Sequence, residues 1–218
     1  MAGKPVICPA CHHRFEDKFR IIGPKLLIVE GRDEEEFFTP LLEILEIKDV
    51  QIAGIGGKTF LRARLKALKA DPQFSMVISL GIMRDADDDA SAAFQSVQDS
   101  LRDAGLPFPV EPMSAISTSV PSVTVMILPP NAGKGELEDL CLAAVSEDPA
   151  MPCVDRYFEC LEISGASRPK KDLTKARARV FLSSRQDPTL AVGVAAKKGY
   201  WQLNAAIFDS VKDFLRSL

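Results

Sequence analysis

Met76-Val77-Ile78-Ser79-Leu80-Gly81-Ile82-Met83 runs directly into Arg84-Asp85-Ala86-Asp87-Asp88-Asp89. The first half is apolar almost throughout, as a strand buried on both faces of a parallel sheet must be. The second half is acidic, and carboxylates at the carboxyl end of such a strand stand where open α/β sheets place their ligands. The same pattern occurs earlier. Leu26-Leu27-Ile28-Val29 ends in Glu30-Gly31-Arg32-Asp33. Carboxylates gathered at neighbouring strand ends repel one another unless a cation neutralises them. Hard oxygen donors suit Mg²⁺ or Mn²⁺. The chain therefore reads as a divalent-metal site on an α/β sheet.

Working outward, strands and helices alternate. Asp33 to Leu45 predicts a helix, with Phe37, Phe38, Leu41, Leu42 and Leu45 at helical spacing. Pro40 inside it predicts a kink or a late start. Val50 to Ile55 predicts a strand, running into Gly56-Gly57. Lys58 to Ala70 predicts a helix with Phe60, Leu61, Leu65 and Leu68 on its buried face. Ala90 to Ala104 predicts a third helix, ended by Gly105. Val123 to Leu128 predicts a fourth strand, and Glu136 to Val145 a helix with acids in its first turn. The β-α-β-α-β-α-β order implies a mainly parallel four-stranded sheet flanked by helices. The Pro- and Ser-rich stretch 107–121 reads as a surface loop or lid. Beyond Pro152 the pattern is helical: Val154 to Ile163, Leu173 to Ser183, Ala205 to Leu215. Three regions follow: a Cys/His segment over 1–24, an α/β domain over 25–150, and a helical C-terminal extension over 151–218 packed on it.

Composition narrows the function classes. The chain has 218 residues, 46% of them hydrophobic, enough for a sizeable core. Its net charge of -3 provides no global basic field for nucleic acid, which leaves only a local patch to serve that purpose. No apolar run reaches the roughly 20 residues of a membrane helix, and Met1 to Phe15 has no apolar core of a signal peptide. A cytoplasmic location without membrane attachment is the expectation, and the 5 cysteines are then thiols or metal ligands rather than disulfides. Nothing in the sequence indicates an oligomeric state.

Glu30-Gly31 with Asp33, then Gly54, Gly56 and Gly57, then Asp85 and Asp87, follow successive strands in an order that resembles the Toprim domain of topoisomerases, primases and OLD-family nucleases. More closely, from Leu26 through Gly199-Tyr200-Trp201, the chain resembles small stand-alone Toprim-like bacterial proteins of the DUF3226 type. The resemblance implies that Glu30 is a general acid/base or metal ligand, and that Asp85 and Asp87 are the metal-binding pair. By looser analogy, Glu136 and Glu138 are candidates for a second metal. The implied function is a Mg²⁺-dependent nuclease or related phosphotransfer enzyme acting on DNA or RNA. The alternative is a non-catalytic scaffold that binds nucleic acid or a partner protein. Nucleotide hydrolysis or sensing is a third reading. Topoisomerase activity is not expected, because the chain is too short for strand-gating domains.

Four other features carry weaker signals. Asn131-Ala132-Gly133-Lys134-Gly135 follows a strand and opens a helix, so its backbone N–H groups, with Lys134 and Lys58, are candidates to meet phosphate. It lacks the Gly-Lys-Ser/Thr ending of a P-loop. Lys171, Lys175 and Arg179 share one helix face at i, i+4, i+8 spacing, which either tracks a phosphate backbone or is a solvated face. Cys8-x-x-Cys11-His12-His13 lacks the second pair that a zinc site requires, so zinc at Cys8/Cys11 is not expected. Both histidines sit in that segment, which leaves no Ser/His/Asp triad.

Overall fold

The computed structural model describes residues 6–7, 14–15, 20–115, 120–166 and 172–218. Two short strands, β1 (Val6–Ile7) and β2 (Arg14–Phe15), pair antiparallel near the amino terminus. The Cys8/Cys11 cluster lies outside the described residues.

The main sheet follows from the apolar runs. β3 (Lys25–Val29) leads into α1 (Arg32–Ile44), then β4 (Val50–Gly54), α2 (Leu61–Ala70), β5 (Ser79–Asp85), α3 (Ala90–Asp103) and β6 (Ser122–Leu128). The four strands are all parallel in the order β4-β3-β5-β6. β3 and β5 occupy the centre, and β6 at one edge is as apolar as either. The carboxyl ends of β3 and β5 deliver Glu30 and Asp85 to the same edge of the sheet.

Several predicted boundaries shift for local reasons. Pro40 is buried inside α1, which starts at Arg32 and continues past it, so no late start occurs. Lys58–Phe60 form a 3₁₀ turn before α2, and Phe60 is exposed rather than on the buried face. Residues Pro72–Met76 are also 3₁₀, capped by Asp71 accepting from the Gln73 N–H at 2.8 Å, so β5 begins later than its apolar run. The stretch after Gly105 carries no helix or strand among its described residues, and Met113 N–H donates to Val125 O on β6 at 2.8 Å.

The remaining helices are α4 (Leu137–Ala144), α5 (Met151–Ile163), α6 (Leu173–Leu182), α7 (Val192–Lys197) and α8 (Asp209–Ser217). α7 has no counterpart in the predicted elements: it is six residues long and contains Gly193. One sheet face packs against α2 and α3 through Leu61, Leu65, Leu68, Phe94, Val97 and Leu101. The other packs against α1 and all five later helices, with Phe181, Trp201, Phe208 and Phe214 in the same cluster as Leu27, Val29 and Met83. The C-terminal helices therefore share one hydrophobic cluster with the sheet. No helix among the described residues is long and apolar enough to cross a membrane.

Candidate metal centre

The site grows from two central strand ends and one helix start. Asp85 is the last residue of β5 and is buried. Its Oδ1 accepts the Leu137 backbone N–H at 3.0 Å, which docks the start of α4 against the strand end. That docking brings Glu136 and Glu138 to Asp85. One carboxylate oxygen from each of the three lies within 4.8 Å of the others. Glu136 is the N-cap of α4, and its backbone N–H donates to Asp139 Oδ2 at 2.8 Å. Gly135 precedes it with φ near 129°, and a Cβ there would meet Pro129 Cδ at 2.7 Å. The turn that aims Glu136 and Glu138 thus requires glycine.

Crowding of acids out of water shows in their proton affinities. Burial first, then the charges of Glu30, Glu34, Glu138 and Glu136, push Asp85 up to about 9. Burial raises Glu138 to about 7, with Glu136 adding to it and Lys175 opposing. Lys175 reaches in from α6, its Nζ 2.7 Å from Glu136 Oε2. Burial works against its charge, yet the bond to Glu136 and the fields of Glu138 and Asp85 carry its pKa above the ordinary lysine range.

Glu30 stands beside this group. Burial raises its pKa, Arg84 opposes that rise, and Asp87 and Glu34 add to it. Arg84 Nε lies 3.5 Å from Glu30 Oε1, close enough for an ion pair but not aligned for a hydrogen bond. Both atoms are buried without a hydrogen-bond partner among the described residues. Arg84, which no motif singles out, is therefore the buried counter-charge of the acid cluster. Its one signal in the sequence is a lone cation wedged between an apolar strand and an acidic turn.

The other predicted residues are placed differently. Asp87 adopts φ 53°, exchanges two backbone hydrogen bonds with Gly135 (2.9 and 2.8 Å), and turns its carboxylate to Lys58 Nζ at 2.7 Å. It does not join the group of three. Asp33 Oδ1 accepts the Gly193 N–H at 3.0 Å, which ties α1 to α7. Glu34 Oε2 accepts the Gly31 N–H at 2.9 Å as a helix cap, and the Gly54 N–H donates to Glu35 Oε1. Lys58 and Lys134 line a cleft of about 590 Å³ together with Asp87, Glu136 and Asp139. On α6, Lys175 is held by Glu136 and Arg177 by Asp155, while Arg179 is exposed. Lys171 lies outside the described residues. The predicted basic face of α6 is therefore partly consumed by the acid cluster itself.

The donor set fits a divalent cation. It consists of carboxylate oxygens alone, repelling one another in a desolvated site, with Glu30 Oε1, which accepts no hydrogen bond among the described residues, nearby. A family model described as "Protein of unknown function (DUF3226)" matches residues 24–218. No curated protein matches the chain. Among solved structures, the chain is similar to the C-terminal region of the Xanthomonas campestris pv. campestris OLD protein, in structures phased with iodine, platinum and mercury. The iodine-phased structure has 16% identity and a TM-score of 0.49, covering 91% of this chain and 96% of that one. The platinum-phased structure has 16% identity and a TM-score of 0.47, with 89% and 93% covered. The mercury-phased one has 14% and 0.43, with 91% and 97% covered.

Proposed function

The chain belongs to the DUF3226 family, and from its site geometry we propose a divalent-metal-dependent, Toprim-like phosphodiesterase acting on nucleic acid. The observation that carries this reading is the convergence of Asp85, Glu136 and Glu138 within 4.8 Å at the carboxyl edge of a parallel sheet. These three would hold Mg²⁺ or Mn²⁺. A divalent ion there supplies charge neutralisation for a phosphodiester.

The protein's own groups do the rest. Glu30 Oε1 has no hydrogen-bond partner among the described residues and is placed to take a proton from an attacking water. Arg84 holds that carboxylate in place and favours its ionised form. Lys58 and Lys134, on the cleft wall, orient the phosphate. Lys175 is positioned to meet negative charge that develops beside Glu136.

The test is Mn²⁺ titration calorimetry with cleavage of single- and double-stranded DNA and RNA. Asp85→Asn retains an oxygen for the Leu137 N–H, so the fold should survive. It should lose more than about 100-fold in metal affinity, beyond the cost of an outer-shell change. Cleavage should fall with it. Unchanged Mn²⁺ affinity in Asp85→Asn and Glu138→Gln would reject the site. A second reading has one observation in its favour: Lys175 already supplies an internal cation to the acids. A non-catalytic scaffold would use it in place of a metal. That reading expects no Mn²⁺ binding by the wild-type protein and unfolding on Lys175→Gln.

A further inference from the structure

From Lys58 to Ala70 the chain carries Lys58, Arg62, Arg64, Lys66 and Lys69 and no acid, in a protein whose net charge is -3. The buried side of α2 is Leu61, Leu65 and Leu68. Arg62, Lys66 and Lys69 stand at i, i+4 and i+7 of α2, a stripe on its exposed side. At 1.5 Å per residue this helical stripe is roughly 10 Å long. Lys58, exposed on the 3₁₀ turn just before α2, continues it into the candidate centre: it lines the cleft with Lys134 and Glu136, and its Nζ is 2.7 Å from Asp87. The facing acids are few. Asp103 on α3 holds Arg62 at 3.1 Å, and Asp87 holds Lys58. No acid lies within ion-pair distance of Lys66 or Lys69 among the described residues, and Lys69 stands 5.7 Å over the Phe74 ring. On α6, whose basic face the sequence reads as either phosphate-tracking or solvated, Lys175 and Arg177 are committed to Glu136 and Asp155.

We infer that α2 is the surface along which a nucleic-acid backbone enters the centre, with Lys58 as the junction between track and cleft. Opposite charge selects the occupant: a run of basic side chains with its acids at one end and one flank fits a polyanion with regularly spaced phosphates. This inference rests on the phosphodiesterase reading for the identity of the site, but its test is separate.

The experiment measures binding of a labelled DNA duplex of roughly 20 base pairs across a salt series in chelator, where no cleavage occurs. Every phosphate deprived of its cationic partner should reduce the slope of log affinity against log salt by about 0.9. Arg62→Gln/Lys66→Gln/Lys69→Gln should lower affinity about tenfold or more at low salt and reduce the slope by about two to three. Lys197→Gln/Lys198→Gln/Arg216→Gln removes the same charge from the other side of the sheet and should leave the slope unchanged. Equal loss in both triple variants would reduce the effect to net charge and overturn the inference. So would wild-type slope in the α2 variant, or no duplex binding by the wild type. Wild type that binds the duplex with the α2-dependent slope but takes up no Mn²⁺ would keep the track and reject the metal centre. The converse result would reject the track alone.

Discussion

Asp85 accepts the Leu137 N–H with one oxygen and faces the charges of Glu30, Glu34, Glu136 and Glu138. Its folded pKa of about 9 lies above the unfolded value, so the folded state keeps a proton that the unfolded state releases. The sign follows: the contribution of Asp85 to stability is full below about pH 4 and is lost as pH rises toward 9. The slope can reach about 1.4 kcal/mol per pH unit. Other acids titrate with opposite sign, among them Asp148, whose hydrogen bond from Arg185 lowers its pKa. The quantity to measure is therefore the stability of wild type minus that of Asp85→Asn, by urea denaturation in chelator at several pH values. The difference should fall between about pH 5 and 8, and saturating Mn²⁺ should reverse the trend by binding the ionised acids. A flat difference would mean that Asp85 ionises freely in the folded protein.

Helix α7 shows what an element can do that no periodicity announces. At Gly193 a Cβ would lie 2.0 Å from Asp33 O and 2.9 Å from Glu36 Cβ, so α7 crosses α1 with backbone nearly touching backbone. The Gly193 N–H also donates to Asp33 Oδ1 at 3.0 Å. Gly193→Ala should cost about 2 kcal/mol or more, because the clashing atom is a helical carbonyl with nowhere to move. Urea midpoints would measure it, and a cost under about 0.5 kcal/mol would contradict the close crossing. This element also marks the limit of the sequence pattern. β3, β5 and β6 are legible because nearly continuous apolar runs between turn residues have few other readings, and the shorter β4 because it runs into Gly56-Gly57. Glu30 and Asp85 are legible because they terminate those runs. The pairing of Asp85 with Glu136 and Glu138 is not, since α4 is docked by a hydrogen bond between residues 52 apart in the chain. Asp87, which the family resemblance pairs with Asp85, has a positive φ and meets Lys58 with its carboxylate. Asp33, which belongs to the same motif, accepts the Gly193 N–H and so holds α7. Local spacing does not encode which way a short side chain points once a turn has been made.

At the scale of the whole molecule, the sheet is covered by two hydrophobic layers, and the C-terminal helices supply much of one of them. A close joint lies at Gly81, in the middle of β5. A Cβ there would meet Leu218 Cδ2 at 2.7 Å and Phe214 Cζ at 3.2 Å, so α8 lies directly on the strand that ends in Asp85. Phe214 is fully buried, and Phe214→Ala should cost about 3–5 kcal/mol. The same geometry decides whether residues 151–218 behave as a separate unit. The chain's 1 tryptophan, Trp201, is buried in the layer shared with Leu27, Val29 and Met83, stacked on Phe181 at 5.2 Å. Its fluorescence reports the helical region, while far-UV circular dichroism reports the whole chain. If the helices complete the core, both signals lose structure at one urea midpoint, as two-state unfolding requires. In Phe214→Ala both should shift down together. A Trp201 transition that precedes the loss of circular dichroism would instead show an extension docked on a self-sufficient sheet, and Phe214→Ala would then widen the gap between the two midpoints.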